Sequence, residues 1–590
     1  MSIDIETYRL KAQEAIEYVF VKEYHNSLGI PMPIVKMLLP DDANYSTGQY
    51  YITIDKTWQI HLNFRKLPIS YHEFQNEVKV LTRHEIEHYM CCPFDVITHF
   101  RMLKRIRDVY YKHFSHLGIN IEYACGAISN QAADIIVDTK NYYRHSKETL
   151  KSEIDWIKIG ANISACPRHC KLMFLTKEAI WKEDLGINET DPEFLKIVHQ
   201  LADSFTKNGI EDKSSFLDKV EEYAEIFFKL YVEDQKNPQQ SSQQGSQQQS
   251  GQQGTQQQSG QQGSQQQSGQ QGPQQQSGQQ GSQQQSGQWG VGRPKDGDEH
   301  GNAFVFADPD KVKEAIEVLA EETSVEEFID LLAIAGIIGM SDKQKGVLWF
   351  NVQSANIIPI VEFSNTGNKS SYTYPSVWRI GDPIEELDLM LTYMTSPRLI
   401  PGMTTKKWGY VSNDDNGTES KQMDLLLVVD TSGSMGSAMK ESANMHQAVL
   451  ASYGILSYFE STKSKVAFIG FSDKIDAYVD WSDKYDDVRE RLLTNGHGGT
   501  KFPISRIKST LDVRSRDLVT VLITDGDLGN INESVSYFRD YLNDDNKLYI
   551  FLLGGSKSLH SYEPLKNIGA KIYNANNANE FCDMVLTDME

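Results

Sequence analysis

Between Gln239 and Gln288 the chain is built almost entirely from glutamine, serine and glycine, and it repeats every nine residues. Gly245, Gly254, Gly263, Gly272 and Gly281 each open a unit of the type GSQQQSGQQ. A fixed period can mark a solenoid, but only when each repeat has an apolar face to bury against its neighbour. These repeats have none. No burial offsets the ordering entropy, so the tract is expected to be a flexible tether. For ~50 residues of such a chain the root-mean-square span is about 40 Å. The glycine in every unit also argues against a self-associating glutamine-rich segment.

A tether in the middle rules out a single continuous core and sets the domain reading: residues 1–234, a linker over 235–296, a connecting region over 297–420 and a last domain over 421–590. At 590 residues the chain has length enough for three or so domains. Its formal net charge of −22, with no dense Lys/Arg run, argues against a nucleic-acid-binding surface. The six cysteines are scattered and suit reduced thiols rather than a disulfide framework. The start, MSIDIETYRL, has early acids and no apolar core, and the longest apolar run, Leu331–Met340, is about half a membrane span. A cytoplasmic protein without membrane or nucleic-acid partners is therefore expected.

In the first half, RHEIEHY places His84 and His88 four residues apart, on one face of the helix expected to end before Pro93. Both imidazoles can then reach one Zn²⁺, and Glu85, one step round, is placed as general base toward water. The plain alternative is a solvated His/Glu face. Two alternating runs upstream, Gln49–Asp55 and Trp58–Phe64, read as a hairpin whose edge could take up an extended peptide. Two histidines leave zinc short of ligands, and SNQAADIIVD supplies the best third candidate in Asp134. Asp138, four residues on, is placed to hold a ligand histidine from behind. CPRHC, with Cys166, His169 and Cys170, lacks a second half at metal spacing, and Cys91 and Cys92 read as core thiols.

RHEIEHY followed by NQAADIIVD resembles bacterial metallopeptidases paired with von Willebrand factor A-like domains. That resemblance implies an α+β zincin-like domain with His84 and His88 as zinc ligands, Glu85 as base and Asp134 as third ligand.

After the tether, Asp308–Met340 has the apolar spacing of two helices, with Val312, Ile316, Val318 and Leu319 on one stripe and Phe328, Leu331 and Leu332 on another. GVLWFNV and NIIPIVEF read as strands. From Met423 on, the buried apolar runs DLLLVVD, KVAFIGF, LVTVLITD and KLYIFLLGG alternate with helical stretches, as in a parallel sheet covered on both faces. The first of them ends in DTSGSMG, with a helix expected from about Ser437. Asp430, Ser432 and Ser434 offer hard oxygens at the carboxyl end of a strand, where open α/β sheets bind ligands. GHGGTKF adds Thr500, and the end of LVTVLITD adds Asp525. A phosphatase-like or nucleotide-binding domain is the alternative, but no glycine-rich phosphate loop follows the first strand.

This set resembles the metal-ion-dependent adhesion site of von Willebrand A domains, which have a Rossmann-like α/β fold. It implies Mg²⁺ or Mn²⁺ bound by Asp430, Ser432, Ser434, Thr500 and Asp525, and a MoxR-type AAA+ ATPase as partner. The combined expectation is a zinc metallopeptidase aimed at a protein or peptide substrate by its adhesion site. The rival is a non-catalytic adaptor for the ATPase, with a structural or vestigial zinc site.

Overall fold

The computed structural model describes residues 5–25, 34–37, 51–54, 59–63, 70–159, 163–236, 309–337, 340–357, 372–377, 406–410, 423–514, 517–526, 528–544, 546–553 and 559–575. The repeat tract, most of NIIPIVEF and most of the 297–420 connecting region lie outside the described residues. The chain divides into two compact units, Met1–Ile316 with Leu331–Ile337, and Glu317–Asp330 with Ile338–Glu590.

The first unit is mainly helical. Helix α1 (Ile5–Tyr18) precedes strands β1 (Ile34–Met37), β2 (Tyr51–Ile54) and β3 (Gln59–Asn63). β2 and β3 pair antiparallel, as the alternating runs suggested, and β1 adds in parallel to the other side of β3. Six helices follow: α2 (Tyr71–Met90), α3 (Val96–Val109), α4 (Ile121–Ile159), α5 (Arg168–Trp181), α6 (Pro192–Thr206) and α7 (Phe216–Lys236).

Helix α2 starts because Ser70 caps it: its hydroxyl accepts from the Glu73 amide and donates to the Glu73 carboxylate. Phe74 and Val78 are fully buried on one face, and the Phe74 ring meets Tyr8 of α1 edge-on at 5.0 Å. Helix α4 touches α2, α3, α5 and α7, so it is the central post of the unit. Non-helical torsions at His145 break it in two. The first part carries Asp134 and Asp138, while the second returns Glu148 to Arg83 and Ser152 to Glu77, both on α2.

Charge locks this pairing. The Arg83 guanidinium grips Glu23 through two nitrogens, at 2.7 and 2.6 Å. One turn on, Glu87 is wholly buried. It accepts from Tyr24 Oη at 2.8 Å and Arg144 Nη1 at 3.0 Å, and pairs with Lys140 Nζ at 2.7 Å. The second glutamate of HEIEH thus fastens α2 to α4 and does not face the histidines.

Helices α8 (Pro309–Glu321) and α9 (Val325–Ile334) fall where the two-stripe spacing put them. GVLWFNV does not form a strand. It lies inside helix α10 (Asp342–Ile357) because Ser341 and Gln344 build a reciprocal capping box, each backbone amide donating to the other side chain. A short apolar run cannot choose between helix and strand by itself, and here the cap decides. Strands β4 (Tyr372–Val377) and β5 (Lys406–Tyr410) form an antiparallel pair.

The second unit centres on a six-stranded sheet of β6 (Asp424–Asp430), β7 (Val466–Phe471), β8 (Ile475–Ser482), β9 (Leu518–Thr524), β10 (Lys547–Leu553) and β11 (Lys571–Ala575). Their order is β11-β10-β9-β6-β7-β8, all parallel except β8. The four runs read as buried strands are β6, β7, β9 and β10. Leu426, Val428, Ile469 and Leu522 face a core completed by Phe502, Phe538 and Tyr562. Helix α11 (Asn444–Ser461) packs on β6. It begins at Asn444 rather than near Ser437, because residues 437–443 close two successive turns, Lys440 N–H to Ser437 O and Ala443 N–H to Lys440 O. Among the described residues no helix is long and apolar enough to cross a membrane.

Glu87→Gln leaves the buried Lys140 ammonium only the half-exposed Glu211 at 3.1 Å, so it should destabilise the protein by up to about 3–5 kcal/mol. Thermal unfolding of the variant reads this loss. A melting temperature equal to that of the parent would contradict the locking role.

Candidate metal centres

The first half of the molecule brings together the three side chains proposed from spacing. His84 Nε2 and His88 Nε2 stand 3.0 Å apart, their rings nearly perpendicular at 86°. Asp134 Oδ1 lies 3.5 Å from the first nitrogen and 3.2 Å from the second. Among the described residues this is the one group of three or more His, Cys, Asp or Glu side chains converging within metal-binding distance.

The opposite side of each ligand is already committed. His88 Nδ1 faces the Cys92 carbonyl at 2.9 Å, an acceptor only, so that nitrogen donates its proton there. His84 Nδ1 faces Asp138 Oδ1 at 2.7 Å. The other Asp138 oxygen accepts from Lys177 Nζ at 3.0 Å, and Lys177, almost fully buried, also pairs with Glu153. Burial opposes ionisation of Asp138, but Lys177 and His84 outweigh it and hold the carboxyl well below its usual range. Asp138 therefore accepts from His84 Nδ1–H. In both neutral rings the Nε2 lone pair then points inward.

Asp134 completes the convergence. Its Oδ2 accepts from Asn130 Nδ2 at 2.9 Å, whereas Oδ1 is buried without a hydrogen bond. Three lone pairs thus meet in one small volume. They repel unless a cation sits among them, either a metal or a proton. The proton affinity records this. Burial lowers that of His84, yet Asp138, Asp134 and Glu85 lift its pKa to about 10. For His88, burial and then the charge of His84 act against Asp134 and Glu85, and the net shift is also upward. His99, on α3, is pushed down to about 4 by burial and by the charge of His88, so it stays neutral. The donor set, two imidazoles and one carboxylate, fits zinc.

Glu85 is half-buried on the next face of α2, close enough for its charge to act on both imidazoles. CPRHC plays a different part: His169 Nδ1 and Arg168 Nε both engage Asp234 at 2.8 Å, tying α5 to α7. Cys91 and Cys92 are buried; burial raises the first thiol to about 11 and the second further, which keeps both protonated. Spacing did not flag Asn130, Lys177, Glu153 or the Cys92 carbonyl. Asn130 had a signal, four residues before Asp134 on the same helix face, but Lys177 and Glu153 had none.

The second group sits where the sheet reverses direction. From the central β6 the chain runs to β7 on one side, and β9 then returns to the other side and leads away to β10. The loops after β6 and β9 therefore open a crevice at the carboxyl ends of the strands. Ser434 Oγ donates to Asp525 Oδ1 at 3.0 Å, and Ser432 Oγ lies 3.1 Å from Ser434 Oγ. Asp430 is wholly buried, its two oxygens accepting from Ser432 N–H at 2.9 Å and Thr524 Oγ1 at 2.6 Å. Burial raises its pKa, its hydrogen bonds lower it, and the charge of Asp525 adds to the rise. Among the described residues no cationic side chain pairs with Asp430, so a hard divalent cation suits these oxygens. Thr500 lies in the adjoining loop, drawn in where Gly433 N–H donates to Gly498 O at 3.3 Å; the string of hydrogen bonds does not include it.

Gly496 lets that loop approach. A β-carbon there would lie 2.4 Å from Asp476 Oδ2 and 2.5 Å from the Thr431 carbonyl, and Thr431 Oγ1 itself donates to Asp476 at 2.8 Å. Gly496→Ala should therefore cost about 1–3 kcal/mol and disturb the turn after β6. The loss appears in thermal unfolding, and an unperturbed variant would mean that the loop yields freely. No protein-family model matches the chain, and no curated protein matches it.

Proposed function

We infer that the chain is a zinc-dependent metallopeptidase of zincin-like type joined to a von Willebrand A-like domain. The observation that carries this reading is the convergence of His84 Nε2, His88 Nε2 and Asp134 Oδ1, with both Nδ1 atoms committed to acceptors behind them. The three side chains keep 22, 21 and 14 % of their surface exposed, so the cluster lies near the surface, and three protein ligands would leave zinc a fourth position. An open fourth position is the mark of a catalytic rather than a structural zinc site.

His84, His88 and Asp134 would hold a zinc ion that would supply Lewis acidity toward a peptide carbonyl and acidify water. Glu85 takes the proton from the attacking water and returns it to the departing amine. Asp138 keeps His84 in the tautomer that leaves Nε2 free, and the Cys92 carbonyl does the same for His88. The hydrogen-bonded oxygens of Asp430, Ser432, Ser434 and Asp525, with Thr500 beside them, support an Mg²⁺ or Mn²⁺ adhesion site. That site would bind an acidic residue of a partner, for which a MoxR-type AAA+ ATPase in the cytoplasm is the proposed occupant.

Metal analysis and peptide cleavage test the two halves of the reading together. Purified protein should hold one zinc, lost in His84→Ala and Asp134→Ala. Glu85→Gln should keep its zinc but cleave roughly 10²–10⁴-fold more slowly. Cleavage surviving in Glu85→Gln would remove Glu85 as the base, and a zinc-loaded parent that cleaves no peptide would leave the adaptor reading in its place.

Zinc must also displace the proton that His84 holds up to about pH 10 in the metal-free site. A raised folded-state pKa stabilises the metal-free form below the unfolded value, and that help fades as pH rises through 10. Because the proton affinity of His88 is raised as well, apparent zinc affinity should climb by at least about tenfold per pH unit and flatten near the top of that range. Titrations at several pH values against a chelator measure the slope, and a flat profile would contradict it.

A further inference from the structure

Nothing in the chemistry of an HExxH centre calls for a buried lysine behind it, yet Lys177 is 2 % exposed and lies two residues' reach from a ligand. It projects from α5, a helix that supplies no other group to the centre. Its ammonium lies 3.0 Å from Asp138 Oδ2, is paired on its other side with Glu153, and has the Phe174 ring within 5.2 Å. A buried charge costs several kcal/mol in desolvation, and an apolar side chain of the same length would fill the space. The arrangement is therefore informative: the ammonium stands between two carboxylates that could not otherwise share this volume.

We propose that Lys177 is a positioning residue of the metal centre, acting through Asp138 to aim His84 at the metal. The inference rests on the zinc reading above. With Oδ2 engaged by Lys177, the Asp138 carboxylate has one orientation, and Oδ1 is left to accept from His84 Nδ1 at 2.7 Å. The ring then has one tautomer and one tilt. Asn130 does the same for Asp134 by occupying Oδ2 and leaving Oδ1 to the centre. Each carboxylate has one oxygen spent on orientation and the other on the site.

Lys177 also sets the charge. Its ammonium acts on Asp134 as well as on Asp138, and so puts a positive charge close to the place a divalent ion would take. Charge and orientation pull in opposite directions when Lys177 is removed. Without the ammonium a nearby dication would be attracted more strongly; without the orientation of Asp138, His84 would be aimed less well. The proposal commits to the second effect as the larger.

The test uses the full chain and measures zinc affinity by chelator competition and coordination by the visible spectrum of the Co²⁺-substituted protein. Lys177→Met should bind zinc about 10–100-fold more weakly and alter the Co²⁺ spectrum, as should Asp138→Asn. In the double variant the two losses should not multiply, because one acts through the other. Glu153→Gln, which leaves the Lys177–Asp138 pair in place, should lower the melting temperature yet keep zinc affinity within about twofold. It serves as the control for destabilisation, and it carries the test if Lys177→Met fails to fold: a large loss of zinc affinity in Glu153→Gln would then overturn the assignment. Equal or tighter zinc binding by Lys177→Met, or multiplicative losses in the double variant, would also overturn it. If the parent chain itself binds neither Zn²⁺ nor Co²⁺, the zinc reading falls first and the role of Lys177 with it.

Discussion

Three lone pairs converge at the first centre, and most of what surrounds it exists to keep them there. Imidazole rings left to themselves rotate or change tautomer to avoid such a meeting. Here the Cys92 carbonyl and the Asp138 carboxylate each hold an Nδ1–H, so neither ring can escape by that route. Asn130 removes the same freedom from Asp134. The repulsion is thereby stored in the fold, and only a cation at the centre relieves it. A proton does so in part: Asp138 behind the ring, and then Asp134 and Glu85, raise the proton affinity of His84 against the effect of burial.

Holding that geometry takes helices far apart in sequence. The three converging side chains come from α2 and α4, the Lys177 ammonium from α5, and the break at His145 lets α4 serve the cluster with its first part and grip α2 with its second. The two glutamates inside HEIEH divide along the same line. Glu87 is buried in a web of Tyr24, Lys140 and Arg144, so its charge is spent on the α2–α4 joint. Glu85 is half-buried, and its charge acts on the imidazoles instead. A residue two positions away on a helix points in a different direction, and that alone separates the acid in the joint from the acid beside the imidazoles.

The sheet of the second unit was the most legible part of the chain. Four continuous apolar runs could satisfy their backbone and bury both faces only as interior strands of a parallel sheet, and each became one. Asp430 and Asp525 were readable for the same reason, since each stands at or just beyond the carboxyl end of such a strand. Less legible were features decided by a cap or a turn. GVLWFNV is apolar enough for either period, and it is the Ser341–Gln344 pair just before it that makes it helical. Residues after Ser434 look ready to start a helix, but successive turns delay it to Asn444.

The first centre shows where reading by spacing stops. His84 and His88, and Asp134 and Asp138, share a helix face by the 3.6-residue period, so local geometry suffices to suggest each pair. Whether one pair meets the other is a matter of how α2 packs on α4, which no local pattern carries. Lys177 and Glu153 lie beyond even that, because a lysine on an amphipathic helix is ordinarily solvated and gives no sign of burial. Its burial makes sense only once Asp138 is seen to need a partner for its second oxygen. The two pairs were thus written locally, while the means of holding their lone pairs together lies in contacts between residues 39 and 54 positions apart.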